Sequence, residues 1–254
     1  MTKVKSDNQR MRNDWDSRAQ VNALHYNSPS HKPGEYDQFF SNGEDFVAQE
    51  FELLIKNLKL SEDSQALEIG CGIGRMVRPL LKWFGTVNGI DVSPVMIDEA
   101  IKLSSGPEYA NLHFQPSDGS SIPLADGSQD FIFSTGVLTH LPSADVLQQY
   151  MHEIHRVLTA SGVFKIEVPI QEGNWKLFGI VISRKFAPLI PKFIFRLARK
   201  MTIKNPMKRN DTYMGVSFSR AKLASMASAA DLKTEFIPFP EGSDHTVWLV
   251  GSRT

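Results

Sequence analysis

The sequence has a single cysteine, Cys71, so no disulfide can close within the chain and no cysteine-rich zinc site can form. It has no excess of either charge, with 28 Lys plus Arg against 28 Asp plus Glu. That balance argues against a general nucleic-acid binder. It has no long unbroken apolar run. The greasiest stretch, 177–197, is interrupted by Arg184, Lys185, Pro188, Pro191, Lys192 and Arg196, which excludes a membrane span there. Residues 1–13 are polar and lack the apolar segment of a secretory signal, so the expected location is the cytoplasm. Core-forming material is plentiful: 41% of the 254 residues are apolar, and the length suits one large α/β domain or two small ones.

The first thirteen residues read as a mobile tail, followed by a short helix over 14–26. A loop with Pro29, Pro33 and Gly34 comes next. From Glu44, the residues Val47, Phe51, Leu54, Ile55 and Leu58 follow helical spacing. Strands are then predicted over 65–69, 86–90, 111–115, 129–134 and 163–168, with helices over 76–84, 94–103 and 143–158 between them. Ser93 and Pro94 suit the cap and first turn of the second of these helices. The alternation predicts an α/β fold: a doubly wound, mostly parallel sheet covered on both faces. After 170 the pattern breaks into an irregular or helical, basic and apolar stretch. A helix over 219–230 and two strands, 234–239 and 246–251, close the chain as an antiparallel pair. The expected organisation is a tail and lid segment over 1–43 and a domain over 44–254, with a cap inserted at 170–215.

Function enters through the run Ala66-Leu67-Glu68-Ile69-Gly70-Cys71-Gly72-Ile73-Gly74. A buried strand passes into glycines, which let a ligand approach the backbone, and then towards a helix start suited to an anionic group. Dinucleotide binders favour G-x-G-x-x-G. Here the glycines stand at 70, 72 and 74, and Arg75 holds the place of a third spaced glycine. Glu68 would repel a pyrophosphate but could pair with a cationic ligand. Asp91 ends the next strand, where a doubly wound sheet offers an acid to ribose hydroxyls. Asp118-Gly119, after the third strand, is either an ordinary turn or a reader of an adenine amine.

Taken together, these segments resemble the class I S-adenosylmethionine (SAM)-dependent methyltransferases, in the group that acts on small molecules. Leu67 to Gly74 is similar to the first motif of that family. Gly89-Ile90-Asp91-Val92-Ser93 is similar to the second, and Asp118-Gly119 with Asp130-Phe131-Ile132 to the adenine loop and fourth strand. The resemblance covers roughly residues 60–170. It implies a Rossmann-like sheet of seven strands with N-terminal lid helices and a helical insertion after the fifth strand. It implies SAM as cofactor, with Gly70, Cys71, Gly72 and Gly74 around the methionine part and Glu68 towards its ammonium. By the same resemblance Asp91 holds the ribose, Val92 and Met96 lie against the adenine, and Ser117, Asp118 and Gly119 line the adenine edge. Ser134 and Thr135 follow the fourth strand beside the cofactor. Trp15 and Arg18 belong to a lid helix, with Arg18 towards the cofactor carboxylate.

In-line positioning of an acceptor can supply much of the rate of methyl transfer. A hydroxyl acceptor would gain a further ~10²–10⁴-fold from a general base. His140, after the fourth strand, is the candidate base, or else a packing residue; His245 is a weaker one. His152 and His155 are read as surface or packing residues, and no metal is expected. The segment from Glu172 to Asp211 interleaves ten Lys or Arg with aromatic and aliphatic residues. It could take a hydrophobic or anionic small-molecule acceptor, touch an acidic membrane surface through 173–210, or simply pack on the domain. Acceptance of a methyl at oxygen is expected. The alternatives are a SAM-binding accessory protein without catalysis and an NAD-type oxidoreductase.

Overall fold

The computed structural model describes residues 3–27, 31–32, 34–171, 175–177, 180–182, 216–239 and 246–254. Seven strands form one sheet in the order β3-β2-β1-β4-β5-β9-β8. They are β1 (Gln65–Ile69), β2 (Thr86–Asp91), β3 (Leu112–Pro116), β4 (Gln129–Ser134), β5 (Leu158–Pro169), β8 (Leu232–Pro238) and β9 (Thr246–Arg253). The first five pair in parallel, and β9 runs antiparallel to both β5 and β8. Chain order reverses between β1 and β4, which is where an open α/β sheet leaves a crevice above its strand ends.

The parallel strands are buried on both faces, so their side chains divide between two cores. Leu67, Ile69 and Ile132 face α6 (Ala144–Val157) and α7 (Arg220–Ser228). Ala66, Phe131 and Phe133 face α2 (Tyr36–Glu50), α3 (Glu52–Lys56) and α4 (Val77–Leu80). Helix α5 (Pro94–Leu103) starts as its sequence suggests: Pro94 is its first residue, and the Ser93 hydroxyl accepts the Met96 N–H at 3.2 Å.

Residues 3–13 are not a tail, because α1 runs from Lys3 to Asn27. It is polar nearly throughout and is held by docking contacts rather than by a broad apolar stripe. Arg12 donates to the Ser117 carbonyl at 2.7 Å, and the Ser93 hydroxyl donates to Asp16 at 2.5 Å. The backbone leaves the helical region at Asn22, whose side chain accepts the His25 N–H at 3.0 Å and so restarts the helix. Helix α2 begins at Tyr36, eight residues before the expected Glu44. The stretch over 76–84 keeps only four α-helical residues, with turns on either side.

Within the insertion, Trp175–Leu177 (β6) and Ile180–Ile182 (β7) pair as a short antiparallel ladder where irregular or helical structure was expected. The rest of that basic and apolar segment, including most of 173–210, lies outside the described residues, as does His245. No helix among the described residues is long and apolar enough to cross a membrane.

Candidate active site

A cleft of about 860 Å³, open mouth included, lies over the C-terminal ends of β1, β2, β3 and β4. Its floor is the bend after β1. Gly70 and Cys71 both donate backbone N–H groups to the Ile90 carbonyl, at 2.7 and 3.0 Å, which turns the chain sharply away from the strand. Gly70 and Gly72 have φ of +78° and +52°, a region that L side chains avoid. A Cβ on Gly70 would overlap Val137, and one on Gly72 would overlap the Asn27 amide. Both glycines therefore keep the floor bare and let the walls close on it.

Asp91 forms the next wall. Its carboxylate accepts the Gly72 N–H at 2.9 Å and the Ser93 N–H at 2.9 Å, so it ties the floor bend to the start of α5. Burial pushes its carboxyl up to about 6, against the lowering effect of those two hydrogen bonds. Val92, Met96, Ser117, Thr135 and His140 also line the cleft. The His140 ring meets Trp15 of α1 edge to face, with centroids 5.4 Å apart.

Several expected residues stand behind this lining rather than in it. Glu68 is buried at the end of β1. Its Oε2 has no hydrogen-bond partner, and burial raises its carboxyl to about 8 despite the opposing charge of Arg75. The Cys71 sulfur packs against Gly89, Gly74 packs against Phe114, and the Ser134 hydroxyl donates to the Ile69 carbonyl at 2.8 Å. Asp118 is exposed, and its Oδ1 accepts from the Ser120 and Ser121 N–H groups at 2.9 and 2.7 Å. Gly119 packs under Met11 and Val92. Arg18 is buried on α1, paired with Asp14 at 2.8 Å and lying over the Trp15 and Tyr26 rings.

Other lining residues were not anticipated. Met11, Tyr26 and Asn27 come from α1, and Tyr150 from the buried face of α6. Arg75 lines the cleft directly after the glycine bend, and its Nε is buried without a hydrogen-bond partner. In the sequence it stood only as the residue in the place of a third spaced glycine, beside the start of a helix. Glu167 on β5 sets the loop after β4, since its Oε2 accepts from the Thr135 hydroxyl at 2.9 Å and the Gly136 N–H at 2.6 Å. Arg156 does the same for the loop after β3, donating to the Ile122 and Leu124 carbonyls at 2.7 and 2.9 Å.

Comparison with known proteins finds similar domains. Residues 67–166 match the family model described as a methyltransferase domain. The chain is 31% identical over 108 residues to the 2-methyl-6-phytyl-1,4-hydroquinone methyltransferase of Synechocystis, covering 42% of this chain and 32% of that protein. It is 30% identical over 144 residues to a methyltransferase of Streptomyces halstedii, covering 56% and 49%. It is 28% identical over 132 residues to a sterol 24-C-methyltransferase of Gibberella zeae, covering 50% and 34%. The chain thus spans between a third and a half of the length of these curated relatives. A SAM-dependent methyltransferase from Aquifex aeolicus shares the fold at a TM-score of 0.52 and 17% identity, covering 85% of this chain and 96% of that one. One from Methanosarcina mazei does so at 0.52 and 20%, covering 79% and 96%. With its seven-stranded sheet and its bare glycine bend, the chain has the fold of the class I SAM-dependent methyltransferases and carries a methyltransferase-domain match over residues 67–166.

Proposed function

We propose that this protein transfers a methyl group from SAM to a small-molecule acceptor. One observation carries the reading: Glu68 Oε2 and Arg75 Nε are both buried beside the glycine bend without hydrogen-bond partners. Buried polar atoms in that state are costly unless a ligand satisfies them. An α-amino acid zwitterion offers an ammonium to one and a carboxylate to the other. A pyrophosphate offers no cation to Glu68. The residues present therefore fit the methionine end of SAM and disfavour a dinucleotide.

In this reading Gly70 and Gly72 leave room for the methionine part, with Cys71 and Gly74 shaping the bend from beneath. Glu68 faces the ammonium side from behind the lining, directly or through water, and Arg75 takes the carboxylate. Arg18 acts through Trp15 and Tyr26 rather than on the cofactor. Asp91 accepts from the ribose, Val92 and Met96 flank the adenine, and Ser117, Asp118 and Gly119 form the loop at its edge. Ser134 and Thr135 hold the far wall. Bound there, SAM supplies a methyl made electrophilic by its sulfonium. The chain aligns the acceptor, and α1 covers the cleft against water through Met11, Trp15 and Asn27.

Trp15, Val137 and Leu141 give the wall beside His140 an apolar character, which suits an apolar acceptor. Two relatives are named for a sterol and for a phytyl hydroquinone. The acceptor atom in this proposal is oxygen. His140 lines the cleft beside that wall and is the residue that takes the hydroxyl proton in this reading.

Titration calorimetry with SAM and with NAD tests the cofactor: SAM alone should bind, and binding of NAD without SAM would end the reading. Incubation with methyl-labelled SAM and extract of the source cell should then yield a labelled small molecule. With that acceptor in hand, His140→Gln should lower kcat by ~10²–10⁴-fold. It should also remove the acid limb of the pH–rate profile and leave the KM for SAM within a few-fold. An unchanged kcat would reduce His140 to a wall residue.

A further inference from the structure

Asn8, near the start of α1, is 6% exposed, and its Oδ1 is buried with no hydrogen-bond partner. It lies over the loop after β3. A Cβ built on Gly119 would stand 3.4 Å from Asn8 Cγ and 2.9 Å from Met11 Cε, and Met11 is itself part of the cleft wall. A buried amide oxygen facing no donor is costly. Asn8 stands beside Met11 over Gly119, directly behind the cleft wall, where a ligand is the source of the donor that the chain itself does not supply. Nearby, Asp118 is exposed, and its Oδ1 is engaged in its own turn by Ser120 and Ser121.

We infer that Asn8 reads the adenine edge of the cofactor, its Oδ1 accepting a hydrogen from the exocyclic 6-amino group. The inference rests on the SAM reading and adds a specificity residue to it, drawn from the lid helix rather than from the sheet. An amide oxygen accepts from a 6-amino purine and gains nothing from a purine without that group, so discrimination follows directly. Arg12 fixes the register that this needs, because its hydrogen bond to the Ser117 carbonyl pins α1 one turn beyond Asn8 to the same loop.

The test compares S-adenosylhomocysteine with its analogue lacking the 6-amino group, by calorimetry on the full chain. The wild type should bind the amino form about tenfold more tightly. Asn8→Leu, close in shape and without polar atoms, should narrow that ratio to about twofold or threefold by weakening the amino form alone. Asn8→Asp keeps an acceptor and should retain the ratio, which separates recognition from folding if the leucine variant is unstable. A ratio unchanged in Asn8→Leu, or lost equally in Asn8→Asp, overturns the inference. A wild type that binds both ligands equally also overturns it while leaving the SAM reading intact. A wild type that binds neither removes the SAM reading and the inference with it.

Discussion

Glu68→Gln is expected to stabilise the ligand-free protein at alkaline pH and, at the same time, to weaken SAM binding. The sign follows from the direction of the shift. Burial raises the Glu68 carboxyl from 4.5 to about 8, with Arg75 opposing and Asp91 reinforcing the rise. Below pH 4.5 both folded and unfolded chains hold the proton, and Glu68 costs nothing. Between 4.5 and 8 the unfolded chain has released it and the folded chain has not, so stability falls as pH rises. Asp91, raised to about 6 from 3.8, adds a smaller loss in the same direction between those two values. At about 1.4 kcal/mol per pH unit, Glu68 alone removes roughly 3–5 kcal/mol by pH 8.5. For a chain of this size that is on the order of 10 °C in Tm. Thermal melts at pH 5.5 and 8.5 should show the drop in the wild type and a much smaller one in Glu68→Gln.

The cofactor half of the prediction has the opposite sign. An ammonium beside Glu68 favours the carboxylate, so SAM binding near pH 7 should release up to about one proton and tighten as pH rises towards 8. In Glu68→Gln the release should vanish and affinity fall by about 10–100-fold, the worth of a hydrogen bond to a charged group. Calorimetry in two buffers of different ionisation enthalpy reads the proton directly. Equal proton release in both proteins would mean that Glu68 does not meet the ammonium.

The contrast between β1 and α1 explains how much was legible in the sequence. Strands β1 and β4 have the expected bounds, and β2 is one residue longer, because an apolar block between turn residues has few other solutions in a parallel sheet. Helix α5 is legible to the residue because Ser93 and Pro94 mark its start chemically. Helix α1 is not, because its docking uses Arg12, Asp16 and Asn8 rather than an apolar repeat, and polar docking has no periodicity. The same division runs through the cleft. The floor and the Asp91 wall come from chain segments whose spacing is local, and they were visible. Met11, Tyr26 and Asn27 reach the cleft only because α1 folds across it. Tyr150 sits on a helix face that reads as plain core. Arg75 was visible only as an argument against a dinucleotide, since its role depends on where the bend aims it.

Glu50→Ala is expected to cost more stability than any exposed substitution, about 3–5 kcal/mol, read as a lower urea midpoint at unchanged m. The reason lies on the face of the sheet away from α6. Lys165 of β5 is 7% exposed, and burial lowers its ammonium below the usual lysine range against the pull of Glu50. Its Nζ donates to the Glu50 carbonyl at 2.6 Å and to the Glu50 carboxylate at 3.2 Å, so it caps the C-terminal end of α2 as well as pairing there. The Trp248 indole donates to the same carboxylate at 3.0 Å, and the ammonium lies 4.6 Å from the Trp248 ring centroid. Removing the carboxylate leaves a buried cation with one carbonyl and two aromatic faces, and leaves the indole N–H without its acceptor. Glu50→Gln keeps an acceptor for both and should cost less. Glu50→Gln with Lys165→Met removes the charge pair as a unit and should recover part of the loss. A coupling below about 0.5 kcal/mol in that double-mutant cycle would show the two groups acting independently. The pair also reaches the cleft. Gly43 of α2 packs directly on Arg75, so a loosened α2 should weaken SAM binding by a few-fold without any change at a residue that lines the site.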